Sequence, residues 1–158
     1  MSYLEFLNSL TPKRREIAEK AVSLYLSDQA SRYSTAYNSR EVYSLMKPRI
    51  IGLEDEHVWL MYLNNALKVL GIEEISCGGM STSMVDVRII LKKCLKTKSC
   101  TKFIMLHNHP SGDPKPSGPD DNATSKVRAA ARTIGIELCD HCIVTEHGGI
   151  YSYAEHGW

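Results

Sequence analysis

The chain has little that would commit it to a membrane, a disulfide framework or a polyanion. Its longest apolar run is Val58–Leu63, far short of the roughly 20 residues that a membrane-spanning helix needs. Residues 1–30 carry Arg and Glu where the apolar core of a secretory signal would stand. Charge of one sign is also missing: 19 basic against 18 acidic side chains leave a formal net charge of +1. A protein whose main work is to grip a phosphate backbone carries a larger basic excess. Net charge therefore gives DNA binding no support, although a local patch stays open. Cysteine is scarce and odd in number: Cys77, Cys94, Cys100, Cys139 and Cys142. With no export signal, such a set reads as reduced, mostly buried thiols. These absences lead us to expect a soluble cytoplasmic protein with no membrane partner.

What is present is an ordinary globular composition, 43% hydrophobic and 23% charged over 158 residues. That excludes disorder, collagen and coiled coil as the main state. The length suits one domain, and a second full domain is not expected. It is also enough to bury roughly two thirds of the extended surface, so neither metal nor disulfide is needed merely to fold.

Local patterns divide the chain. Thr11 can cap a helix with Pro12 at its first position, and Ile17, Ala21, Leu24 and Tyr25 recur on one face. Arg14, Arg15 and Lys20 read as its solvated side. Ser27 to Arg40 is polar and aperiodic, a loop by this reading. A short helix over Ser39–Met46 is expected to end before Pro48. Val58–Leu63 reads as a buried strand, Asn64-Asn65 as a turn, and Val69–Ile75 as a second strand. Gly78-Gly79 breaks the chain. Val87, Ile90, Leu91, Cys94 and Leu95 follow helical spacing, and Lys102–Leu106 is a short strand. Ala123, Val127, Ala130, Ala131 and Ile134 mark another helix, ended by Gly135. Leu138–Val144 and Ile150–Tyr153 flank a Gly148-Gly149 turn and read as a hairpin. The order β-β-α-β-loop-α-β-β predicts an α/β fold: a mixed sheet flanked by helices, after a short N-terminal helical segment.

The chemistry concentrates between His107 and Asp120. Two histidines two apart at a strand end project to one side, where their nitrogens can share a zinc ion at about 2.0–2.1 Å. A catalytic zinc needs a third protein ligand and an open position. Asp120 can supply it if the loop folds back, and Pro110, Pro114, Pro116 and Pro119 stiffen that loop. Asp113 and Asp121 are the rival third ligands. Ser117-x-x-Asp120 is equally a helix-capping pattern, and both uses are compatible in a first helical turn. Cys139-Asp140-His141-Cys142 has no second ligand pair, so its cysteines read as core. His57, His147 and His156 read as surface residues, and Trp59 and Trp158 as packing.

The pattern H-x-H-x7-S-x2-D formed by His107, His109, Ser117 and Asp120 matches the JAMM signature of the JAB/MPN metallohydrolases. The wording His-Asn-His-Pro-Ser-Gly-Asp-Pro closely resembles the bacterial RadC family. The resemblance runs from about Ser39 to Gly157. It takes in Glu56–Asn64, Gly78-Gly79 followed by Val85–Arg88, Asp140-His141 and Tyr151–Glu155. It implies a JAB/MPN sheet with cytidine-deaminase-like layering. The zinc-deaminase signature itself is absent, since that needs H-x-E and P-C-x-x-C.

The resemblance implies roles. His107, His109 and Asp120 would bind one catalytic zinc, Glu56 would be the general base with Glu54 as fallback, and Ser117 would hydrogen-bond the oxyanion or the bound water. Asp140 and His141 would either support the site or be buried structural residues. The implied activity is zinc-dependent hydrolysis of an amide or isopeptide bond in a peptide or protein conjugate. The alternative is a DNA-repair or nucleic-acid-processing factor using the same metal. We expect residues 1–38 to be an N-terminal helical lead and 39–158 the RadC-like domain. That lead shows no paired Gly-rich hairpin of the helix-hairpin-helix kind found in longer relatives. Substrate and oligomeric state are not encoded legibly.

Overall fold

The computed structural model describes residues 3–31, 35–36, 38–78 and 86–158, the side chains of 3–5 and 26–31 excepted. Gly79 and Val85 lie outside the described residues. In chain order the elements are α1 (Tyr3–Asn8), α2 (Pro12–Ser31), α3 (Ser39–Ile50), β1 (His57–Leu63), β2 (Val69–Cys77), α4 (Val87–Lys96), β3 (Lys102–Asn108), α5 (Gly118–Thr133), β4 (Glu137–Val144) and β5 (Ile150–Ser152). The five strands form one sheet in the order β2-β1-β3-β4-β5. β3 and β4 are parallel, with α5 as their crossover, and the other neighbours are antiparallel. The expected mixed α/β sheet is the fold.

β1 and β3 sit at the centre of the sheet, which is why their runs are apolar on both faces. Trp59, Met61, Leu63, Ile104 and Leu106 face α3, which buries Val42, Leu45, Met46 and Ile50 against them. Val58, Leu60, Tyr62, Phe103 and Met105 face the other way, onto Ile90 and Cys94 of α4 and Ala123, Val127 and Ala131 of α5. Each large side chain so buried contributes about 1.5–3 kcal/mol. Asn64 makes the β1–β2 turn: its Oδ1 accepts from the backbone N–H groups of Ala66 and Lys68, both at 3.0 Å.

Several elements differ from expectation. α1 has no strong sequence signal. α2 continues to Ser31, where a loop was expected, because residues 27–31 contain neither Gly nor Pro and polarity alone does not stop a helix. Among the described residues its predicted apolar face is only partly covered: Leu24 is half-buried, while Ile17 is 60% and Tyr25 63% exposed. α3 runs through Pro48 to Ile50. Pro48 cannot donate to Ser44, but Met46 and Ile50 are both buried, and their packing outweighs the lost hydrogen bond. Leu95 and Ile134 sit on predicted apolar faces yet are exposed. All five cysteines are free, but only Cys94 and Cys142 are buried, and Cys77 is exposed. No helix among the described residues is long and apolar enough to cross a membrane.

Candidate metal centre

β3 delivers His107 to one end of the sheet, pairing with Val58 on β1 and Ile143 on β4. The chain stays extended one step further, since the His109 N–H donates to the Val144 carbonyl at 3.0 Å. Both imidazoles therefore project to the α5 side, Nε2 to Nε2 at 3.0 Å. Between them Asn108 points to the opposite face. Its Oδ1 accepts from the His57 N–H at 2.7 Å and its Nδ2 donates to the Asp55 carbonyl at 3.0 Å. That clasp holds the backbone of Glu56 at the same sheet end as the histidines.

The loop that brings Asp120 back is built by local chemistry. Gly112 adopts φ +82°, which favours glycine, and its N–H closes a turn onto the His109 carbonyl at 3.1 Å. The Asp113 carboxylate accepts from the Lys115 N–H at 2.9 Å. Pro114 lies against Gly149, where a Cβ would come within 3.3 Å of the proline ring and 2.6 Å of Thr145 Oγ1. The β4–β5 turn thus needs a glycine to seat the loop. α5 then opens with a capping box: the Ser117 N–H and hydroxyl donate to Asp120 Oδ2 at 2.7 and 2.5 Å. The other oxygen, Oδ1, faces the histidines and has no hydrogen-bond partner among the described residues although it is buried. One carboxylate caps the helix with one oxygen and offers the second to the site.

His107, His109 and Asp120 form the cluster that could hold a metal ion, with one ligand atom each and all three within 4.8 Å of one another. Asp120 Oδ1 lies 3.3 Å from His107 Nε2, and Oδ2 lies 3.7 Å from His109 Nε2. Hydrogen-bond directions decide the protonation. The Thr124 hydroxyl donates to the Asp120 carbonyl at 2.6 Å, so at 2.6 Å from His141 Nδ1 it must accept. His141 Nε2 is then a lone pair, and the His107 Nδ1–H donates to it at 2.8 Å. On the other side the His109 Nδ1–H donates to the Asp113 carbonyl at 2.7 Å. Both Nε2 atoms are left as lone pairs, aimed at each other and at an unpartnered carboxylate oxygen. Burial holds His107 down to about 4, outweighing the charge of Asp120, and pushes His141 well below its ordinary value. Burial thus opposes a positive charge on His107 itself, and the three ligand atoms could instead hold a cation between them.

The rival ligands stand elsewhere. Asp113 contributes its carbonyl, and the Asp121 carboxylate accepts from the Tyr153 hydroxyl at 2.7 Å. Glu54 is exposed. Glu56 is half-buried and is not one of the cluster's ligand atoms. Of the Asp140-His141 pair, His141 supports the cluster and is stacked on Tyr153. Asp140 points to the other face, where Ser152 Oγ and the Ala154 N–H donate to it at 2.5 and 2.9 Å. Cys142 joins the α3-side core with Cys139 packed beside it. Trp59 packs there too, while Trp158 is partly exposed beneath Arg128, 4.0 Å from its ring centroid. His57 is mostly covered rather than a surface residue. Thr124 was missed in the sequence, because nothing marks a helix threonine as the partner of a strand histidine.

A family model described as RadC-like JAB domain matches residues 36–158. Among curated relatives, UPF0758 proteins of Porphyromonas gingivalis, Flavobacterium johnsoniae and Symbiobacterium thermophilum are 34%, 36% and 38% identical over 131, 120 and 120 residues. These alignments cover 83%, 76% and 76% of this chain but only 57%, 52% and 50% of the relatives. The chain thus spans about half the length of these curated relatives.

Proposed function

Since the chain belongs to the RadC-like JAB domain family, we propose that it is a zinc-dependent hydrolase of amide or isopeptide bonds in peptides or protein conjugates. The carrying observation is the convergence of His107 Nε2, His109 Nε2 and a buried Asp120 carboxylate oxygen that has no hydrogen-bond partner among the described residues. His107 Nε2 lies 3.0 Å from His109 Nε2 and 3.3 Å from Asp120 Oδ1, near the roughly 3.3 Å between ligands of a tetrahedral ion with bonds of about 2.0–2.1 Å. Zinc held there supplies Lewis-acid chemistry, acidifying a water and polarising the substrate carbonyl.

The chain's own residues do the rest. Glu56, its backbone clasped beside the histidines, takes the proton of the attacking water and returns it to the leaving amine. Ser117 holds Asp120 in place through its hydroxyl. Its second role, donating to the oxyanion, requires that hydroxyl to turn away from Oδ2. His141 and Thr124 keep the His107 proton on Nδ1, away from the ligand position.

Metal analysis of the purified protein should find one zinc. Glu56→Gln should keep the zinc and lose about 100-fold or more of turnover on an isopeptide-linked reporter, whereas His109→Ala should lose the zinc. Undiminished turnover in Glu56→Gln would remove Glu56 from its role, and a wild-type protein that takes up no zinc would remove the reading itself.

A further inference from the structure

On the sheet face opposite the metal centre, a thiol, an imidazole and a carboxylate stand in line. Cys77 Sγ lies 3.4 Å from His57 Nε2, and His57 Nδ1 lies 3.0 Å from Glu74 Oε1. The carboxylate accepts the Nδ1–H, which leaves Nε2 to accept the thiol proton. His57 is well held: its ring stacks on Trp59 at 5.7 Å and 16°, and its side chain is only 15% exposed. Cys77 is exposed, so a reagent can reach it.

A β-bulge builds this arrangement. His57 pairs with Cys77 and Val58 with Ser76, but Trp59 pairs with Glu74, leaving Ile75 as the extra residue. In a regular strand, residues three apart point to opposite faces. The extra residue returns Glu74 to the face of Cys77 and His57, while Ile75 packs into the core on the other side. The thiol, base and orienting acid are those of nucleophilic cysteine sites, and no step proposed for the metal centre uses them.

We propose that Cys77 is a base-assisted nucleophilic thiol and a site of covalent modification by small disulfides. Sγ attacks one sulfur of the reagent while its proton passes to His57 Nε2. The reagent's S–S bond breaks as the new one forms, giving a mixed disulfide on Cys77. The departing thiolate takes the proton from His57 and leaves as a free thiol. The reagent disulfide is the oxidant, so electrons balance. An unassisted thiol is only a few per cent thiolate at neutral pH, and nucleophilicity falls as the thiolate is stabilised, so assistance is worth about tenfold.

The test treats the full chain with dithiodipyridine at neutral pH and follows each cysteine by peptide mass mapping. Cys77 should react about tenfold faster in the folded than in the denatured chain. His57→Gln should abolish that advantage and Glu74→Gln should reduce it. Cys100, which lies beside Cys94 on the opposite face, is the internal control and should keep its rate in both variants. If His57→Gln also alters Cys100, the strand pair has been disturbed and Glu74→Gln decides. Equal Cys77 rates in folded and denatured chains would overturn the proposal. So would an unchanged rate in His57→Gln with Cys100 unaffected, or in Glu74→Gln.

Discussion

Thr124 makes two hydrogen bonds with one oxygen, giving its proton to the Asp120 carbonyl and taking one from His141. Thr124→Val keeps the volume and removes both. The stranded His141 Nδ1–H should cost about 1–3 kcal/mol of stability. His141 is also freed to move its proton to Nε2, which would force the His107 proton into the ligand position. Zinc affinity should then fall about 10–100-fold, read by competition with a chromogenic chelator, and Thr124→Ser should restore it. The residue scale is also where the sequence was least legible. Asp140 and His141 are adjacent and both polar, so the sequence does not distinguish which of them supports the metal. Only the register, which sets Met105 against His141 and Ile104 against Asp140, assigns the histidine to the cluster's face.

At the scale of elements, Asp140 ties β4 to the three-residue β5 and the turn beyond it. The carboxylate accepts from Ser152 Oγ, the Ala154 N–H and Cys142 Sγ. Asp140→Ala should leave donors unpaired and cost about 2–4 kcal/mol. Hydrogen exchange should rise across residues 150–154, while zinc content holds because His141 faces the other way. The long elements could be read in advance: Val58–Leu63 is apolar at every position because β1 is central, and Ser117 with Asp120 announces the start of α5. What could not be read depends on partners distant in sequence. Pro48 argues for a helix end, and only the burial of Met46 and Ile50 explains why α3 continues. The bulge at Ile75 leaves no mark in β2, because it appears only when β2 is laid against β1. Ile17 and Tyr25 share a helical stripe, yet nothing among the described residues covers them.

For the whole molecule, two apolar layers on either side of one sheet account for folding without an ion. Chelation should therefore leave the far-ultraviolet circular dichroism and cooperative unfolding intact. The melting temperature should drop by roughly 5–10 °C, since a hundredfold excess of ligand over its Kd is worth about 2.7 kcal/mol. The metal-free protein should also be acid-sensitive in a defined window. The unfolded chain takes up protons on its histidines as pH falls through the ordinary 6.5, whereas folded His107 resists protonation down to about 4. The unfolded state thus binds more protons within that interval. Stability is full above it and lost as pH falls through it, with His141 acting in the same sense. Urea midpoints of the chelated protein should decrease from about pH 7 to about pH 4.5, and a flat profile would show that these imidazoles are not held neutral.

The parallel pairing of β3 with β4 also sets an order of assembly. His107, His109 and Asp120 lie on one strand–loop–helix unit, whereas His141 arrives only when the crossover through α5 has closed and β4 docks. Contacts local in sequence form before those that must await loop closure. During refolding the three ligands should therefore be gathered first, and the hydrogen bond that orients His107 should be among the last to form. Zinc present from the start meets a cage whose donors are in place but not yet locked. Zinc added after folding meets the finished site.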